Sequence, residues 1–177
     1  MAKKKTKTVR KKGKKKVNTD LQERLSRIES LRKELSSLEK TSAKDIMDML
    51  KETMVQHPLL AGIRWQQYTP GFNDGEPCTF GVHGPYFKFH ESLGEDKAGY
   101  NDDGWVDDYE INKEFFEKKK DILNFETIAE LKNTVEAVQV VYGKLSNMET
   151  ALEAMFGDGY EITVTATGVE AESYDHD

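Results

Sequence analysis

The residue types best suited to chemistry lie between positions 64 and 110. Cys78, His83 and His90 are of the kinds that bind zinc or build a thiol nucleophile beside a base. Their spacing matches no standard zinc knuckle, and a structural site usually takes four ligands. In a regular strand, alternation would also place Cys78 and His83 on opposite faces. No nucleophile signature surrounds the cysteine. The three residues are therefore read as a buried thiol and two ordinary histidines, and neither a catalytic residue nor a metal ligand is assigned. No cofactor is expected.

A second candidate is the acidic stretch GYNDDGWVDDYEI, with Asp102, Asp103, Asp107 and Asp108. Aligning Gly104 with the glycine of a calcium loop puts Asn101 and Asp103 at ligand positions, Val106 at the apolar position and Glu110 at the bidentate one. The first ligand would be Gly99, which carries no oxygen side chain. A solvated acidic loop is the expected outcome, and residues 101–110 are where a divalent cation would be sought. A third candidate groups aromatic rings with positive charge. Trp65, Tyr68, Tyr86 and Phe87 lie near Arg64 and Lys88, a mixture that stacks nucleic-acid bases at roughly 1–3 kcal/mol each. A small sheet needs large apolar side chains, so these rings are expected to belong to the core.

The fourth candidate is electrostatic. Lys3, Lys4, Lys5, Lys7, Arg10, Lys11, Lys12, Lys14, Lys15 and Lys16 put ten cations and no acid into residues 1–16, against a whole-chain net charge of −6. The other 161 residues carry 16 basic and 32 acidic groups, a balance of −16. If Z of those cations contact duplex phosphates, log K falls against log salt with a slope near −0.9Z. Non-specific nucleic-acid binding is the expected task of this segment. The acidic body repels phosphate and is expected to engage a protein instead.

These residues must be positioned by the rest of the 177-residue chain, a length suited to one domain with extensions. One cysteine excludes an intramolecular disulfide. No stretch approaches the roughly 18 apolar residues of a membrane span, and the basic start lacks a signal peptide's apolar run. A cytoplasmic location is expected, in the host cytoplasm if the protein is phage-encoded.

The basic residues 1–17 cannot bury apolar surface and are expected to be disordered. Residues 18–40 follow as an amphipathic helix or short coiled coil, opened by Asn18 or Thr19. Leu21, Ile28, Leu31, Leu35 and Leu38 form one stripe with Leu25 beside it, a candidate surface for self-association or a protein partner. Glu23–Arg27 and Glu29–Lys33 add pairs of about 0.2–0.5 kcal/mol each. Ser42 with Asp45 reads as a capping box opening a second helix, which ends before Pro58.

An α+β domain is expected over 41–168. Its small antiparallel sheet contains a hairpin at about 62–83 and a C-terminal strand at about 160–166, packed with helices. GIRWQQY and CTFGV supply the hairpin strands, with Cys78, Phe80 and Val82 on one face and Phe72 anchoring the loop. Helices are expected over NKEFFEKKKDILNF and ETIAELKNTVEAVQVVYGKL. Ser146 and Glu149 are read as the capping box of a last helix that stops at Gly157. Residues 169–177 are expected to fray as an acidic tail.

The run RWQQYTPGFNDGEPCTFGV resembles a segment of uncharacterised proteins from tailed bacteriophages and some bacteria. There a Trp, a polar pair, Tyr-Thr-Pro, an aromatic, Asn-Asp-Gly and a Cys follow in that order. The resemblance covers residues 64–82, and this chain has Gly71 where the pattern carries an aromatic before the Phe. It implies a phage or bacterial origin and no reaction. Two functions are therefore expected. One is a non-enzymatic accessory protein tethered to nucleic acid by its basic segment. The other is an adaptor or inhibitor of a host factor, acting through the leucine stripe and acidic surface.

Overall fold

The structure, a computed structural model, describes the backbone of residues 5–72, 74–91, 104–111, 113–121 and 123–175, and side chains within those ranges from Leu21 onward except Lys113. Helix α1 spans Lys5–Gln56 without interruption. It therefore includes residues 5–17, which were expected to be disordered, and has no new start at Asn18, Thr19 or Ser42. Lys and Arg are good helix formers, and no proline occurs before Pro58. Ser42 and Asp45 are ordinary mid-helix residues, because a capping pair marks a start only where the preceding residue has left the helical conformation. The chain divides into two compact units, one ending at Glu39 and the other beginning at Lys40.

The second unit is α+β. Its five-stranded antiparallel sheet runs in the order β3-β2-β1-β4-β5, with β1 at Leu60–Tyr68, β2 at Gly81–Phe89, β3 at Val106–Asp107, β4 at Tyr160–Thr165 and β5 at Gly168–Ser173. The expected hairpin and the expected strand from about 160 are β1–β2 and β4. Three expectations are corrected here. The second hairpin strand starts at Gly81, so Cys78 lies in an irregular stretch and is exposed rather than buried. Phe72 is 78% exposed, where a buried anchor of the loop was expected. Residues 169–173 form β5, paired with β4 from Thr165↔Gly168 to Tyr160↔Ser173, where fraying was expected. An edge strand tolerates its charged Glu170 and Glu172 because only one flank is paired.

Pairing register assigns the faces. Residues opposite each other share a face, so Ile63, Trp65 and Gln67 line up with Phe87 and Val82 on β2 and with Val164, Ile162 and Tyr160 on β4. Ala43, Met47, Leu50 and Met54 of α1 join this face in one hydrophobic cluster. So do Ile128, Leu131, Val135 and Val138 of α3 (Phe125–Ser146), and Ala151 and Leu152 of α4 (Glu149–Phe156). Phe115 and Phe116 of α2 (Lys113–Lys118) pack at the same cluster, with the Phe115 ring 5.2 Å from that of Phe89.

Asn124 caps α3, its side chain accepting from the Thr127 amide at 2.8 Å. The expected capping role of Ser146 is not found. Ser146 is the last residue of α3, its hydroxyl donating to the Gly143 carbonyl, and α4 begins after Met148 without a side-chain cap. Gly157 does end α4, with φ 94° and its amide donating to the Glu153 carbonyl.

Candidate functional site

Two surfaces bear on function, one in each unit. In the first, Leu21, Leu25, Ile28, Leu31, Leu35 and Leu38 are all 46–60% exposed on α1. The structure thus places the six stripe residues together on a helix with solvent against them. Lys3 and Lys4 lie outside the described residues. The side chains of Lys5, Lys7, Arg10, Lys11, Lys12, Lys14, Lys15 and Lys16 do so as well, although their backbone is part of α1.

In the second unit the sheet face opposite the core carries polar and aromatic groups. Register puts Gly62, Arg64 and Gln66 of β1 beside Lys88, Tyr86 and His83 of β2 and beside Thr165, Thr163 and Glu161 of β4. Between Arg64 and Gln66 the pairing slips, because β2 inserts an extra residue around its cis Gly84–Pro85 peptide. Gly84 has φ 131°, and a Cβ there would stand 3.2 Å from the Arg64 carbonyl oxygen, so a side chain would be strained. The bulge keeps Tyr86 and His83 on one face despite their odd spacing.

Arg64 is the centre of this face. Its residue is only 7% exposed, yet it points away from the apolar cluster. The guanidinium lies 4.6 Å from the Trp105 ring centre and 5.3 Å from that of Tyr86, both within cation–π range. One Nη1 donates to Glu161 Oε1 at 3.2 Å, and Gln66 Nε2 donates to the other oxygen at 3.1 Å. Trp105 is 7% exposed but stands outside the main apolar cluster. A Cβ on Gly62 would meet its ring edge at 3.1 Å, so the glycine makes room for the indole. Lys88 Nζ sits 5.6 Å from the same ring. Farther along, Tyr68 stacks on His83 with centres 4.4 Å apart, and Tyr174 approaches to 5.7 Å. Burial, then nearby Asp107, raises the Tyr86 phenol above its usual value, and burial does the same at Tyr68.

The aromatic group read from the sequence is therefore split by the sheet. Trp65 and Phe87 are wholly buried, as expected of core residues, while Tyr68 and Tyr86 share the opposite face with Arg64 and Lys88. Trp105 and Glu161 were not assigned to any site from the sequence. Glu161 had a usable signal, since it alternates with Tyr160 and Ile162 and so had to face away from the core.

The charge of Arg64 on this face is already engaged, while Lys88 is exposed. Arg64 is engaged by Glu161 and two rings, and Glu170 and Glu172 share the face through their pairing with Thr163 and Glu161. The contacts of Arg64 with Glu161, Tyr86 and Trp105 hold the outer face together.

Cys78, His83 and His90 are not grouped for metal binding, and among the described residues no cluster of three or more His, Cys, Asp or Glu could hold an ion. Asn101, Asp102 and Asp103 of the acidic loop lie outside the described residues. Several of the described acids of this loop are held by hydrogen bonds within the domain. Asp107 accepts from the Tyr109 amide, Asp108 from Gln139 Nε2 at 2.6 Å and Glu110 from the Tyr109 hydroxyl. Among the described residues no helix is long and apolar enough to cross a membrane. Comparisons of the chain with family models, with curated proteins and with solved structures find no match.

Proposed function

We propose that the chain is a non-enzymatic accessory protein of the cytoplasm, tethered to nucleic acid by residues 3–16, whose acidic α+β body engages a protein partner. The observation that carries the reading is the charge split, ten cations without an acid in residues 1–16 against −16 in the remainder. Such a segment displaces condensed counterions from a polyanion and binds without sequence preference. The −16 balance of the remaining residues, which repels phosphate, and the engagement of Arg64 by Glu161 support assigning this task to residues 3–16. Binding of DNA, RNA and heparin by the intact chain and by a chain lacking residues 1–16, titrated at low and moderate salt, tests the proposal. The intact chain binds with a steep salt slope and the truncated chain loses most affinity. Unchanged affinity after truncation refutes it.

A second reading is favoured by the exposure of the six stripe residues on α1. It makes the chain an adaptor or host-factor inhibitor that needs no nucleic acid. Substituting Ile28→Glu and Leu35→Glu together then abolishes partner capture while leaving polyanion binding intact.

A further inference from the structure

We infer that α1 pairs with α1 of a second copy as an antiparallel two-stranded coiled coil, in one register fixed by Arg27 and Glu34. The inference is independent of polyanion binding. Its starting point is the stripe itself. In a seven-residue repeat with its two inward positions at 21, 24, 28, 31, 35 and 38, five of the six inward residues are Leu or Ile, all on uninterrupted helix and all at least 46% exposed.

Charge decides the direction. In a coiled coil the residues flanking the inward positions face the partner helix and set its orientation. Here they are Arg27, Glu34 and Thr41 on one side, and Leu25, Arg32 and Glu39 on the other. A parallel, in-register pair sets each flanking residue against the one five positions later. Arg27 then meets Arg32 and Glu34 meets Glu39, and each like-charge pair occurs twice. An antiparallel pair instead sets like sides together. With Ile28 opposite Leu31 of the second copy, Leu21 falls opposite Leu38, and Arg27 meets Glu34 of the second copy in two equivalent pairs. On the other side the Arg32 stem covers Leu25, the apolar residue that lies beside the stripe.

The register is equally specified. Sliding the antiparallel pair by one repeat in one direction puts Glu34 against Glu34, and sliding it in the other puts Arg27 against Arg27. Only one alignment satisfies the leucines and both charges. Arg24 sits opposite Leu35 in that alignment. A polar residue at an inward position lowers stability while helping to fix register.

Single charge reversal reports the direction by its sign. Sedimentation equilibrium of the full chain over a wide concentration range gives the dimer constant. Arg27→Glu sets Glu against Glu34 in both antiparallel pairs and weakens association roughly tenfold, from two exposed pairs changing sign. Arg27→Glu with Glu34→Arg restores the attraction and the affinity. A parallel dimer behaves oppositely, since Arg27→Glu creates an attraction to Arg32 and tightens it. Ile28→Glu with Leu35→Glu gives a monomer whose circular dichroism and domain melting transition match the parent, which confirms that the loss is of association and not of folding. Tighter or unchanged association of Arg27→Glu, or a parent chain that is monomeric throughout, overturns the inference.

Discussion

Leu50 and Leu31 both sit on α1 in apolar stripes of helical spacing. Leu50 is wholly shielded from solvent, packed in one cluster with Ile63, Trp65 and Leu152, whereas Leu31 is 48% exposed. The two stretches are alike in residue type and in periodicity. What separates them is supplied from far along the chain, because the residues from 40 onward bring strands and helices against the face of Ala43, Met47, Leu50 and Met54. Periodicity thus identifies apolar surface that must be covered, and leaves open whether the cover comes from the same chain. On the stripe from Leu21 to Leu38 the flanking charges are what the inference of a second copy rests on.

The largest expected effect lies on the covered stretch. Leu50→Ala removes a fully buried side chain beside a sheet that cannot close the gap, and costs about 3 kcal/mol of domain stability. Denaturant unfolding followed by Trp65 and Trp105 fluorescence reads this loss as a lower midpoint with unchanged slope. A loss below about 1 kcal/mol would mean that the helix does not pack on the sheet as tightly as the burial of Leu50 implies.

A smaller effect, of opposite sign, comes from a polar atom on the same covered side. The Tyr142 hydroxyl is buried and has no hydrogen-bond partner among the described residues, with its ring 6.2 Å from Trp65. Removing it with Tyr142→Phe stabilises the domain by about 1 kcal/mol at neutral pH, since no hydrogen bond is lost and the desolvation cost of the group disappears. Burial first, then the nearness of Tyr86 and Asp108, holds the Tyr142 phenol above its usual value. The folded state therefore keeps the proton after the unfolded chain has begun to release it near pH 10. This proton linkage costs nothing below about pH 10, and stability falls as pH rises further, toward the raised folded value. Unfolding of the parent and of Tyr142→Phe across this alkaline range should show a shallower decline in the variant. Equal declines would mean that the phenol is solvated in the native state.

Much of this architecture is legible in local pattern, and the parts that are not have physical reasons. The hairpin, β4, α3 and the stop at Gly157 follow from alternation, helical spacing and a glycine that accepts positive φ. The start of β2 does not, because Cys78, Phe80 and Val82 continue the two-residue period of the strand and nothing local marks where pairing begins. β5 is hidden because Glu170 and Glu172 read as a solvated tail until pairing with Thr163 and Glu161 gives them a face. Gln67 is similar. It is wholly buried, and its amide donates to the Leu152 carbonyl at 3.2 Å and the Gly157 carbonyl at 2.6 Å, receiving Trp65 Nε1 in turn. A strand glutamine looks solvent-facing until the end of α4 is placed above it. The Arg64–Trp105–Glu161 group is likewise assembled from three separate strands or their approaches, so sequence proximity gives no hint of it.

The smallest expected effect sharpens the comparison most. Leu31→Ala alters a side chain of the same size as Leu50, on the same helix, and should change the unfolding midpoint of the domain by no more than about 0.5 kcal/mol, as for an exposed site away from the core. Alanine is also a better helix former than leucine, so α1 itself does not weaken. The measurement is made at a concentration where the chain is monomeric, because a dimer would add its own linkage to the apparent stability. At higher concentration the same substitution should reduce self-association, since it removes apolar area from the paired stripe. A domain-stability loss approaching that of Leu50→Ala would show that the stripe is covered by its own chain in solution. The contrast between the two leucines would then be void, and with it the case for a second copy as the missing cover.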